Sequence, residues 1–204
     1  MTMTSEETRV LRTVIESKES LNISRVAKRS GMNYKNTYLV IQKLVSKGLV
    51  DLSPIGKSKE CILLRKVHPL LFNAESERRT DFLKRHSDIK VIHNKLRELN
   101  FPFIALVFGS YVKGNYSKNS DIDILSISEE NRKQQIAEIL DIFPLNIHLT
   151  QISYENFITM LKSREFSVVS EVIDNYIALI GIEDFYRLLE NAYQGTNQRS
   201  RKKR

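Results

Sequence analysis

The stretch VFGSYVKGNYSKNSDIDIL, residues 107–125, ends one apolar run in Gly-Ser and opens another with aspartates at alternate positions. In a strand, residues i and i+2 leave the same face, so Asp121 and Asp123 point one way while Ile122 and Ile124 enter a core. Like charges set that close repel, and a purely structural strand gains nothing from them. A divalent cation reverses the balance, because Mg²⁺ takes oxygen ligands from one or two carboxylates and completes its shell with phosphates and water. The preceding run, FPFIALVFGS at 101–110, reads as a buried strand that stops abruptly. Gly109 lets the backbone turn and approach a ligand, and Ser110 adds a hydroxyl at the expected start of a short helix, a combination suited to phosphate oxygens. The two halves together describe a nucleoside triphosphate site, with terminal phosphates on the loop and Mg²⁺ or Mn²⁺ bridging them to the aspartates.

Gly109-Ser110, ten further residues and then Asp121-Ile122-Asp123-Ile124 is similar to the signature of the DNA polymerase beta nucleotidyltransferase superfamily, and GSYVKG followed by NSDIDIL resembles its minimal prokaryotic branch. Lys113, Gly114 and Ser120 complete the nucleotide-binding set that this resemblance implies. It extends over about residues 101–190, where ISYENFITMLKSREFSVVSEVIDNYIALIGIEDFYRLL has the cadence of the branch's carboxyl-terminal helices. The resemblance also implies a third carboxylate on a later strand. The next strand candidate, LNIHLT at 145–150, carries His148 there instead, and Asp141 lies upstream at an expected helix end. Three readings of His148 stay open: a catalytic base or ligand, a mark of a domain that binds nucleotide without transferring it, or an ordinary half-buried histidine.

Outward from this stretch, the amino-terminal part has a different character. Residues 1–66 hold 13 Lys and Arg against 6 Asp and Glu, a net of +7, whereas residues 67–194 hold 14 against 18, a net of −4, and residues 195–204 hold 5 against none. Basic charge gathered at both ends points to a polyanionic partner met there. SEETRVLRTVIES predicts a first helix, Asn22 caps a second, Gly31 supplies a turn and Asn33 caps a third. In the third helix Thr37, Val40, Ile41 and Leu44 share an inner face, and the outer stripe carries Tyr34, Lys35, Tyr38 and Gln42, able to reach phosphates and base edges in a major groove about 12 Å wide. LVDLS and ECILLRK read as short strands around PIGKSK, whose Lys57 and Lys59 could touch the flanking backbone. Residues 23–66, and QKLVSKGLV above all, resemble the winged helix-turn-helix domains of bacterial and archaeal transcription regulators. That resemblance implies DNA as a partner and a homodimer.

Between these parts, HPLLFNAESERRTDFLKRHSDIKVIHNKLRELN predicts a long helix broken near Ser87, either a bridge between domains or a dimer interface. Arg79 and His86 within it resemble the Arg-His pair of helical ribonucleases, but the four-helix bundle of those enzymes is missing. The tail NQRSRKKR has no apolar residue and is expected to be disordered. The expected fold is therefore α+β: a winged helix at 1–66, a helical connector at 67–100, a small mixed-sheet nucleotidyltransferase-like domain at 101–192 and a basic tail at 193–204.

A single cysteine, Cys61, excludes an internal disulfide and a zinc knuckle, and no apolar run approaches the roughly 20 residues of a membrane span. A cytoplasmic protein with no membrane partner is expected. Two functions compete, an Mg²⁺-dependent nucleotidyltransferase carried by a DNA-binding head and a transcription regulator whose second domain senses nucleotide or serves as a dimer scaffold. A third follows from the resemblance alone, an antitoxin acting on a helical ribonuclease.

Overall fold

The computed structural model describes residues 5–17, 19–56, 58–117, 120–163 and 167–201, with side chains as far as Tyr193. Its contacts divide the chain into two compact units, Met1–Ser76 and Glu77–Arg204.

In the first unit, α1 (Glu6–Ile15) starts where the Ser5 hydroxyl accepts a hydrogen bond from the Thr8 amide at 3.1 Å, with Glu6 and Glu7 in the first turn. Asn22 does the same for α2 (Ile23–Ser30), and Asn33 for α3 (Tyr34–Ser46), through the amides of Arg25 and Asn36. Gly31 ends α2 in the left-handed region at φ 67°, a conformation that costs a side-chain-bearing residue about 1–2 kcal/mol. Val10, Leu11, Val26, Ile41 and Leu44 are buried, so the three apolar faces read from the sequence meet in one core.

The hairpin β1 (Val50–Ile55) and β2 (Ser58–Leu63) is longer than expected. Its ladder runs out to Pro54 opposite Lys59 and Ile55 opposite Ser58, so four residues assigned to the turn belong to strands. Pro54 is tolerated because a two-stranded ribbon consists of edges, where a missing N–H costs no ladder bond. The Cys61 amide donates to the Leu21 carbonyl at 2.7 Å and ties the hairpin to the start of α2. Burial raises the Cys61 thiol pKa to about 11, helped by neighbouring Glu60.

The expected connector is two helices, α4 (Pro69–Arg85) and α5 (Ser87–Leu96), broken at His86. Residues 77–100 do not stand apart from the second unit. Phe82, Leu83, Ile89, Ile92 and Leu96 are buried in one core with Ala105, Val107, Ile122, Ile124, Ile177 and Leu179. The expected start of the second domain at residue 101 therefore differs from the compact unit, because the sheet needs these helices to cover one face.

That sheet has four strands in the order β5-β4-β3-β6. β3 (Ile104–Phe108) is followed by the short α6 (Gly109–Lys113), β4 (Ile122–Ile127), α7 (Lys133–Asp141) and β5 (Ile147–Ile152). Then come α8 (Tyr154–Ser163), α9 (Val168–Asp174), β6 (Ile177–Ile180) and α10 (Ile182–Arg201). β3 is antiparallel to β4 and β6, and β4 is parallel to β5. Ile136 and Leu140 of α7 join the core that α5 covers.

Two expectations are corrected in the second unit. The segment read as having the cadence of carboxyl-terminal helices also contains β6, since IALI is too short for periodicity to separate a buried strand from a helix. The tail expected to be disordered continues α10 to Arg201. Extending a helix already nucleated and packed fixes one residue per hydrogen bond, far less costly than starting one. Residues 202–204 lie outside the described residues.

Candidate functional site

The site is built at one end of β3, β4 and β5. Ile122 is buried, and its amide donates to the Asn146 carbonyl at 2.8 Å, so β4 is paired from its first residue. The alternation then sends Asp123 to the face opposite Ile122, as the sequence predicts. Asp121 immediately precedes the strand and is exposed. Asp123 stands opposite Phe108 on β3 and opposite His148 on β5.

Gly109 follows Phe108 with φ 70°, and a Cβ placed on it would lie 2.1 Å from the Asp123 Oδ2 and 3.0 Å from its Cγ. Only a residue without a side chain lets that carboxylate rest against the backbone of the turn. Glycine thus serves two needs, the left-handed backbone and the space. Asp123 Oδ1 faces the other way, 3.1 Å from His148 Nδ1. A carboxylate can only accept, so in this contact Nδ1 is the donor, and Nε2 is the ring nitrogen turned away from Asp123. The His148 side chain is 66% exposed against 26% for Asp123. His148 is therefore not the half-buried histidine of the third reading, but an open side chain held by one of the two aspartates.

The rest of the loop is held by other partners. Lys113 forms an ion pair with Glu171 of α9 at 2.7 Å, and Gly114 closes α6 with φ 76°. Ser120 accepts from the Ser117 amide at 2.8 Å and its hydroxyl lies 3.2 Å from that of Ser117, ahead of Asp121. Ser110 is half-buried at the start of α6. Asp141 ends α7, exposed. Among the described residues, no three His, Cys, Asp or Glu side chains gather where they could hold a metal ion. A Mg²⁺ ion held by one or two carboxylates completes its shell with phosphate and water oxygens.

Sequence reading missed two supports of this loop. Glu171 is 58 residues from Lys113, and no local pattern marks such a pair. The other is aromatic. Tyr111 and Tyr116 stack with centroids 4.5 Å apart, and His86 at the helix break meets both edge-on at 5.7 and 5.3 Å while lying 4.3 Å from Phe82. Burial lowers the His86 pKa, with Arg85 adding to the effect. Arg79 donates to the Leu179 carbonyl at 2.9 Å and fastens α4 to β6. These separate partners give the Arg79 and His86 pair structural work.

In the first unit, Tyr34, Lys35, Tyr38 and Gln42 are exposed along α3. Tyr34 and Tyr38 are nearly parallel, with centroids 6.4 Å apart and planes 25° apart. They face a cleft of about 520 Å³ whose far wall is the hairpin, including Leu52, Pro54, Gly56, Ser58 and Lys59. Lys57 lies outside the described residues.

Residues 89–179 match the family model described as nucleotidyltransferase domain, and residues 2–73 match that of the sugar-specific transcriptional regulator TrmB. The chain joins a winged helix-turn-helix domain to a nucleotidyltransferase domain. No curated protein and no solved structure matches it. The nucleotidyltransferase match begins within α5 and ends within β6, and so takes in Gly109, Asp123 and His148 together. The regulator match spans α1 through the hairpin into the first turns of α4 and includes Tyr34 and Tyr38. No helix among the described residues is long and apolar enough to cross a membrane.

Proposed function

We propose that the nucleotidyltransferase domain binds a nucleoside triphosphate with Mg²⁺, and that the winged helix brings it to DNA. The observation that carries this reading is the fit of Asp123 to Gly109, which sets a carboxylate oxygen against the backbone where a phosphate would lie. Packing alone gives no reason to press an anion onto a glycine turn. The donor set suits Mg²⁺: Asp121 and Asp123 would hold it, and it would neutralise phosphate charge and polarise the phosphoryl group.

The chain's own residues have separable tasks. Gly109 and Ser110 offer amides and a hydroxyl to terminal phosphates, and the Lys113–Glu171 ion pair with the Tyr111–Tyr116 stack holds that loop in place. His148, oriented through Nδ1, keeps Nε2 available to take a proton from an attacking hydroxyl, a task that in general acid–base catalysis contributes roughly 10²- to 10⁴-fold.

A second reading rests on the same histidine. With only two acids, the domain can hold nucleotide and report its presence to the DNA-binding head without transferring anything. One pair of measurements separates the two: calorimetry with ATP and Mg²⁺, and transfer of label from labelled triphosphates to candidate acceptors. Mg²⁺-dependent binding lost in Asp121→Ala/Asp123→Ala, together with transfer, supports the enzyme. The same binding without transfer supports the sensor, and no binding removes both.

A further inference from the structure

We infer that the cleft between α3 and the β1–β2 hairpin takes an unstacked base of single-stranded DNA, laid on the rings of Tyr34 and Tyr38. This goes beyond the proposed function, which leaves the form of the DNA open, and it rests on the nucleic-acid role given there to the first unit.

The first ground is the shape of the surface. A helix that reads duplex DNA sends side chains outward into a groove about 12 Å wide. Here the outward stripe of α3 is one wall of a cleft, and Pro54 and Lys59 of the hairpin belong to the lining with it. At about 520 Å³ the cleft has room for a base and its sugar.

The second ground is the chemistry of the walls. Tyr34 and Tyr38 are 55% and 43% exposed side by side on α3, and an aromatic ring offers a base a face to stack on. Their centroids lie 6.4 Å apart with planes 25° apart, so the two rings form one exposed aromatic stripe on α3. A flat base covers such a surface whatever its identity, whereas base-edge readout in a groove calls on hydrogen-bonding side chains that a tyrosine ring face lacks. Gln42 and Asn22, also in the lining, supply the hydrogen-bonding groups, with Lys59 at the hairpin side. The first 66 residues carry 13 Lys and Arg against 6 Asp and Glu, which suits a phosphate backbone leading to the cleft.

The test uses the full chain and fluorescence anisotropy at one fixed salt concentration. The probes are a labelled single-stranded oligodeoxynucleotide, the blunt duplex made with its complement, and the same duplex with an overhang. Tighter binding of the single strand and the overhang than of the blunt duplex is expected. Tyr34→Ala and Tyr38→Ala should each weaken it roughly fivefold or more, the scale of one lost base–aromatic contact, while Tyr34→Phe and Tyr38→Phe keep it. Displacement of the overhang by a free mononucleotide places the base in the cleft and supports the inference. Blunt duplex bound as tightly as the overhang leaves the DNA-binding role standing and overturns the inference. So does an affinity unchanged in the alanine variants, whose folding is checked by circular dichroism. Binding of none of the three probes overturns both.

Discussion

At Gly109 a single missing methyl group decides what the neighbouring strand can hold. Alanine there would bring a Cβ to 2.1 Å from the Asp123 carboxylate and force a left-handed backbone on a residue that avoids it. Gly109→Ala is expected to cost about 1–2 kcal/mol from the backbone alone, read as a lower urea midpoint. Calorimetry should show the loss of ATP and Mg²⁺ binding as well, since Asp123 must turn away. The strand that carries Asp123 and the turn at Gly109 were legible in the sequence, because the alternation about Ile122 is that of a strand with one buried face. The contact between them was not, since 14 residues separate Gly109 from Asp123 and only the β3–β4 register brings them together. His148 was visible as a substitution, yet its exposure and its bond to Asp123 required the β4–β5 pairing.

At the scale of elements, α5 illustrates how a helix can be read correctly and assigned to the wrong body. Its apolar positions Ile89, Ile92 and Leu96 follow helical spacing, but spacing says only that a face is buried, never against what. The same inner face carries His93, which is only 8% exposed. Burial lowers its pKa from 6.5, and Arg79 and Arg97 push the same way against a hydrogen bond with Asn94. The folded chain therefore binds fewer protons than the unfolded chain just below pH 6.5. Stability is present above that value and is lost as the pH falls through the lowered one. Urea denaturation at neutral and mildly acidic pH should show this loss, and His93→Leu should show a smaller loss over the same interval. In the hairpin, the strands were legible and their ends were not, because Pro54 and Gly56 are turn residues in most contexts and here one of them sits in the ladder.

For the whole molecule, the two units make the position of the boundary a testable quantity. A fragment beginning at Phe101 lacks Phe82, Leu83, Ile89, Ile92 and Leu96 from the core of its sheet. At about 1.5–3 kcal/mol for each large buried side chain, the loss is on the order of 10 kcal/mol, comparable to the entire stability of a small domain. That fragment should show no cooperative unfolding transition by circular dichroism, whereas one running from Glu77 to Tyr193 should show one. The two-part layout itself was plain from the sequence, since charge, turn residues and periodicity all change along the chain. Where one part yields to the other was not, because α4 and α5 contain no glycine or internal proline to mark it.

The parallel register that sets His148 beside Asp123 also has a genetic side. Histidine and aspartate codons differ only in their first base, so one transversion would seat a third acid at a place that backbone pairing, not the imidazole, has already fixed. Gain or loss of chemistry in this lineage lies within reach of a point mutation, with the architecture around it left standing.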